Sequence, residues 1–279
     1  MQESPQLSSL PVHQQSVCQG FLLTRQARDR KGSIEITLWI KTEQGPVKCV
    51  ISNEQAVFFV ETSEVENAIS ILKSNGIALA QFKNLSLKNF SQNIMSGLYF
   101  ETMQAFYAAR EIIKANGIKC FEDDFRPDDR FLMERFITAN IEVAGAIDSS
   151  TENTDKGYGL LTQARCRKLS DQTRQFYLQM LSVDIECSMK GELYSIGAYA
   201  QNVSIVFMIG IPNPEESTPS EFDIHWVEDE AALLKAFIVW MNHYDPDIII
   251  GWNVINFDMD LLQKRCDFNN IDFTIGRDG

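Results

Sequence analysis

The sequence predicts a mixed α/β (α+β) chain in two parts: a β-rich N-terminal domain, then a smaller domain on a mixed sheet. Three observations carry this. Ile34, Ile36, Leu38 and Ile40 alternate with Glu35, Thr37, Trp39 and Lys41, the period-2 mark of a half-buried strand. From Phe176 onward the apolar runs read strand, strand, strand, helix, strand, helix. The 279 residues, 44% of them hydrophobic, suffice for two cores.

Residues 1–17, rich in Gln, Ser and Pro, are expected to form a disordered leader. Within it, Gln6-Leu7-Ser8-Ser9-Leu10 loosely matches a sliding-clamp-binding peptide, a short pattern that also arises by chance. The N-terminal domain is placed at 18–170. Phe21-Leu22-Leu23 opens its strands, Glu43-Gln44-Gly45-Pro46 makes a turn, and Val47 to Ile51 returns. Ser63 caps a helix to Lys73, stopped by Asn75-Gly76. Ile77 to Phe82 and Leu85 to Leu87 read as short strands. Leu98 to Ala115 reads as a helix with Met103, Phe106, Tyr107 and Ile113 on its apolar side, ended by Asn116-Gly117. Arg126-Pro127-Asp128-Asp129 opens another, continued by Phe131, Leu132, Arg135 and Phe136. The polar stretch from Ser149 to Gly159 is an exposed hairpin tip or linker.

The second domain, 171–279, starts with a central strand, Phe176 to Glu186. Tyr194 to Ala200 and Ser204 to Ile209 follow as antiparallel neighbours. Pro212 to Ser220 is a loop, with His225 at a loop-to-helix junction. Glu228, Asp229 and Glu230 crowd the start of a helix with the stripe Leu233, Leu234, Phe237, Ile238 and Met241. Asp245-Pro246 stops it, Asp247 to Trp252 is a buried strand, and Phe257 begins a final helix.

The net charge of −13 and pI of about 4.7 argue against a charge-driven nucleic-acid binder but not against a nuclease, whose metal ligands are acidic. Six scattered cysteines without a Cys-x-x-Cys pair argue against a zinc site and suit reduced thiols in the cytoplasm. No apolar run approaches the ~20 residues that span a bilayer.

The chemistry-bearing residues are three carboxylates. Asp184 and Glu186, at i and i+2 on a strand, point to one face while Ile185 points to the other. Such like charges repel, and a divalent cation removes that cost. Oxygen-only ligands favour Mg²⁺ or Mn²⁺ over zinc. A strand beside the first would deliver Asp258, at a following helix start, to the same edge. Two cations ~3.5–4 Å apart in such a cluster suit phosphodiester hydrolysis. Taken singly, Asp-x-Glu is also a solvent-facing strand edge, and Asp258 also a favourable charge at a helix N-terminus. Trp39 and Phe58-Phe59 are read as core or sheet-face residues rather than stacking platforms.

Ser182-Val183-Asp184-Ile185-Glu186 resembles the first proofreading-exonuclease motif of family B DNA polymerases, and Gly251-Trp252-Asn253-Val254-Ile255-Asn256-Phe257-Asp258 resembles the second. The flank Tyr244 to Ile250 and the segment Arg126 to Ile137 are similar to the same family. Gly20 to Arg25 and the Trp39 strand with its Gln44-Gly45-Pro46 turn most resemble bacterial members. The resemblance implies a ribonuclease-H-like exonuclease domain, here C-terminally incomplete, within a DNA-directed DNA polymerase of replication and repair. It implies two Mg²⁺ (or Mn²⁺) ions, with Asp184 reaching both, Glu186 one and Asp258 the other. Asn253 and Phe257 would shape the pocket for the terminal nucleotide of a single-stranded DNA 3′ end, and Tyr194 would stack on it. A third motif and the polymerase palm are expected beyond Gly279, so the segment alone is expected to be nearly inactive. A stand-alone ribonuclease-H-like nuclease and a non-catalytic protein-interaction module are the alternatives.

Overall fold

The computed structural model describes residues 15–147, 158–212 and 222–278. The chain divides into two compact units, one through Phe176 and one from Tyr177. The proposed clamp peptide, most of the polar 149–159 stretch and nearly all of the 212–220 loop lie outside the described residues.

In the first unit, β1 (Gln15–Arg30), β2 (Ser33–Thr42) and β3 (Gly45–Glu54) form an antiparallel meander. Lys31 and Gly32, with φ of 51° and 81°, form the two-residue turn whose twist matches the strands. Ile34, Ile36, Leu38 and Ile40 are fully buried, as their alternation predicts. The strand starts earlier than expected: Gln15, Ser16 and Val17 are paired in β1 rather than belonging to a leader. Next come β4 (Ala56–Glu61), α1 (Val65–Ser74), β5 (Gln81–Lys88), β6 (Ile94–Phe100), α2 (Met103–Ala115) and α3 (Pro127–Glu134). The strands β4, β6 and β5, in that order, form a small sheet packed on helices through Phe58, Phe100 and Phe106, whose rings lie 5.3–6.1 Å apart. Finally β7 (Asn140–Ile147) and β8 (Gly159–Lys168) return, closing a barrel in the order β1-β2-β3-β8-β7. Every barrel pair is antiparallel except β3 with β8.

Several expected boundaries move, each for a local reason. Leu98, Tyr99 and Phe100 belong to β6, not to the helix; α2 starts after Thr102, whose side chain accepts the Ala105 N–H. Asp29 reinforces that start by accepting the Met103 and Gln104 N–H groups at 2.7 and 3.0 Å. Ser63 lies in a 3₁₀ turn and does not cap α1. Ile77 to Ala80 are not in a strand. The last α-helical residue before Phe136 is Glu134, and Phe136 has φ of 53°.

In the second unit, β9 (Met180–Cys187), β10 (Leu193–Ala200) and β11 (Val203–Ile209) are antiparallel neighbours as predicted. An unexpected strand, β12 (Asp223–Val227), pairs parallel to β11 and holds His225, which packs 5.5 Å from Phe207 instead of sitting at a loop junction. Helix α4 (Glu230–Tyr244) starts at Asp229, which accepts the Ala232 N–H. Then follow β13 (Ile248–Ile250) and α5 (Asp260–Phe268). The five-stranded sheet runs β12-β11-β10-β9-β13, with β13 parallel to β9. Its core joins Leu181, Val183, Ile185, Ile196 and Phe207 to Leu233, Leu234, Phe237 and Met241 of α4. Among the described residues the isoleucine run is therefore an edge strand, partly exposed, rather than a strand buried on both sides.

Candidate active site

Two elements build the site. Strand β9 turns Leu181, Val183 and Ile185 into the core and leaves Asp184 and Glu186 exposed on the opposite face. Because β13 runs parallel beside it, with Ile250 opposite Ser182, the chain leaves β13 at the level of Asp184. Gly251 makes that exit possible. A Cβ there would stand 2.6 Å from the Val183 carbonyl oxygen and 3.1 Å from the Val254 Cβ. Gly251→Ala is therefore expected to push the exit away from β9, at a cost of about 1–3 kcal/mol typical of overpacking, read by urea unfolding.

After Gly251 the backbone reverses through Asn253 at φ 55° and enters a single π-helical turn, Ile255–Met259, before α5. Such turns recur at functional sites because they rotate one side chain out of α-helical phase. Here Asp258 is carried inward: it is 1% exposed, while Trp252, Ile255 and Phe257 are 94%, 76% and 47% exposed. The usual polarity, apolar inside and charge outside, is inverted along these seven residues.

Burial raises the Asp258 carboxyl above the ordinary carboxylate range; its own main-chain N–H opposes that shift, the nearby Asp184 charge adds to it, and the Ile185 N–H opposes it. The buried Oδ1 has no hydrogen-bond partner. Asp258 and Asp184, separated in sequence, thus meet at the edge of adjacent strands. Glu186 shares the outward face of β9 with Asp184. Among the described residues no group of three His, Cys, Asp or Glu side chains is already gathered tightly enough to hold a metal. A divalent cation nevertheless fits what is present: a buried carboxylate oxygen lacking a partner, and a neighbouring like charge that needs neutralising.

The remaining predicted residues lie on β10 and on the segment that carries Asp258. Tyr194, 55% exposed, occupies the irregular step between the Leu193–Cys187 and Ser195–Glu186 pairs. Asn253 is exposed and its Oδ1 accepts from Asn256 at 3.4 Å. Phe257 flanks Asp258 in the π turn. Sequence reasoning missed the packing role of Gly251, since a close backbone approach leaves no mark beyond the glycine itself. It also gave no separate role to Trp252.

This arrangement accompanies a match over residues 119–278 to the model of the exonuclease domain of DNA polymerase family B. The chain belongs to family B of the DNA polymerases. Residues 20–55 also match the model of the N-terminal region of DNA polymerase II. DNA polymerase II of Escherichia coli K12 is 34% identical over 260 residues, covering 93% of this chain and 31% of that protein. A DNA polymerase of Archaeoglobus fulgidus is 23% identical over 265 residues, covering 94% of this chain and 32% of its own length. The family B polymerase structure from Pyrobaculum calidifontis superposes with a TM-score of 0.73 at 15% identity, over 93% of this chain and 33% of the other. That likeness supports the fold. The chain spans about a third of the length of the two curated relatives described.

Among the described residues no helix is long and apolar enough to cross a membrane.

Proposed function

We propose that this segment supplies the accessory N-terminal domain and the 3′–5′ proofreading exonuclease site of a DNA-directed DNA polymerase that serves replication and repair. The observation that carries the reading is the buried Asp258 carboxylate, unpartnered at Oδ1 and set beside Asp184. Family membership supports it, because divalent-metal dependence goes with the exonuclease domain of this family.

Asp184, Glu186 and Asp258 are the residues that would hold Mg²⁺ or Mn²⁺. When bound, two such ions supply activation of water and stabilisation of the leaving oxygen in phosphodiester hydrolysis. The chain's own contribution is placement. Strand β9 fixes Asp184 and Glu186 on one face, and the π turn holds Asp258 near Asp184. Phe257 and Tyr194 expose ring faces on which the terminal nucleobase of a DNA single strand stacks. The exposed Asn253 amide offers hydrogen bonds to the same nucleotide.

Titration of the chain with Mn²⁺, followed by the electron paramagnetic resonance of the free ion, tests the site. Binding is expected, and Asp184→Ala and Asp258→Ala should each weaken it by at least about tenfold, the scale seen even for outer-shell changes. In a polymerase carrying this segment, Asp184→Ala should abolish release of a 3′-labelled nucleotide and leave nucleotide addition intact. Mn²⁺ affinity indifferent to both substitutions would refute the reading.

A further inference from the structure

Glu230 is the first residue of α4, where an acid suits the helix dipole and one contact with water would satisfy it. Its side chain is instead only 16% exposed, and donors from two distant parts of the chain converge on it. One oxygen, Oε1, accepts the Leu193 N–H at 2.9 Å and the Arg265 Nε–H at 2.7 Å. The other, Oε2, accepts from Arg265 Nη2 and from Asn269 Nδ2, the latter at 3.1 Å. Burial pushes the Glu230 carboxyl up, but Arg265, the Leu193 N–H and Asn269 outweigh it and hold the group below the usual carboxylate range. With both oxygens occupied, Glu230 is itself a poor ligand for an ion.

The two parts it joins are the two halves of the carboxylate site. Leu193 opens β10 opposite Cys187, and the next pair in that ladder is Ser195 with Glu186. The Leu193 N–H is thus one step from the end of β9 that carries Glu186. Arg265 lies on α5, which continues the π turn of Asp258: Val254, Met259 and Asp260 keep right-handed helical angles through the join. A shift of α5 is therefore a shift of Asp258. Leu262 and Cys266, fully buried, press α5 onto the core. The β9–β10 turn abuts the same helix, since a Cβ on Gly191 would stand 3.2 Å from the Leu261 Cδ1. Apolar contact is non-directional and leaves a helix free to slide or turn. The forked bonds from Arg265 to Glu230 fix what that contact leaves open.

We infer that Glu230 is a positioning residue of the carboxylate site: it ties the β9–β10 end beside Glu186 to the helix that follows Asp258, and so sets the separation that bound cations must bridge. This deepens the metal-dependent reading of Asp184, Glu186 and Asp258 and rests on it.

The test follows Mn²⁺ affinity of the 279-residue chain by electron paramagnetic resonance, beside the urea midpoint of each variant. Glu230→Gln keeps the shape but takes the charge from Arg265, and is expected to weaken Mn²⁺ binding roughly tenfold, the lower end for residues that orient ligands. Arg265→Lys, charged but unable to form the fork, should fall between the parent and Arg265→Ala. Ile238→Ala, a cavity on the core face of α4, should lower the urea midpoint and leave the affinity at the parent's value. Hydrogen exchange in EDTA gives a readout without metal: Glu230→Gln should speed exchange in the π turn, Ile255–Met259, and leave β11 unchanged. If Glu230→Gln does not fold, Arg265→Lys decides by the same readouts. Parent-like affinity and exchange in the folded variants, with binding lost on Asp258→Ala, overturns this inference and spares the metal site. An equal loss of affinity in Ile238→Ala would reduce Glu230 to one support of stability among many, and likewise overturn it. No Mn²⁺ binding by the parent would sink the metal reading instead, and exchange in the π turn then decides whether Glu230 holds Asp258 in place.

Discussion

Asp258→Asn is expected to stabilise the metal-free chain at neutral pH and to forfeit the stabilisation that metal brings. The carboxylate is 1% exposed, repelled by Asp184 and unpartnered at Oδ1. A buried polar group in that state costs about 1–3 kcal/mol, more when charged, and the neutral amide removes the charge while keeping the shape. The sign with pH follows from the raised carboxyl pKa. The native state holds this proton to higher pH than the unfolded chain, so stability falls as pH rises from the ordinary carboxylate pKa through the raised one. The advantage of Asn is therefore full above that interval and gone below about pH 4. Divalent cation reverses the order. It should stabilise the parent by about 2.7 kcal/mol at a hundred times its dissociation constant, and the Asn variant far less. Urea unfolding in EDTA and in Mn²⁺, at pH 7 and pH 4, reads all four conditions. A parent more stable than Asp258→Asn in EDTA at pH 7 would show that the carboxylate is satisfied without metal.

Arg277→Ala is expected to loosen the same site from a distance. The Arg277 guanidinium bonds Asp245 and Asp247 at 2.8 Å each and also donates to the Asp245 carbonyl at 3.1 Å. The Asp247 side chain is wholly buried, whereas that of Asp245 is 42% exposed. Asp247 in turn accepts the Gln179 N–H at 3.0 Å and donates its own N–H to the Gln179 carbonyl at 2.8 Å. These bonds start β13 beside β9, and so set where Asp258 arrives. Removing one partner of a buried pair costs about 3–5 kcal/mol, because the other charge stays buried. The loss should appear in urea unfolding together with weaker Mn²⁺ binding. A loss under about 1 kcal/mol would mean that the tie behaves as an exposed ion pair.

Much of this was readable residue by residue. The Ile34 to Ile40 alternation marked β2 because one face of that strand is buried and the other is not. The Leu233 to Met241 stripe marked α4 for the equivalent helical reason. What misled were segments whose pattern is shared by two structures. Leu98 to Phe100 run straight into a helical sequence, and only their pairing with β4 and β5 makes them strand. Asp223 to Val227 is too short and mixed to declare itself; β12 exists because the edge of β11 is available to it. The isoleucines of β13 read as buried on both faces, yet the strand lies at a sheet edge among the described residues.

By itself the sequence determined which residues are candidates to carry the chemistry. Asp184, Glu186 and the Asn253 to Asp258 stretch are local patterns, and Asp184 and Glu186 share a face on any strand. Only the tertiary structure decided that Asp258 meets Asp184 and that its oxygen is left without a partner. Those facts depend on register between strands distant in the chain. A run of residues encodes its own periodicity, whereas its neighbours are chosen by the packing of everything else.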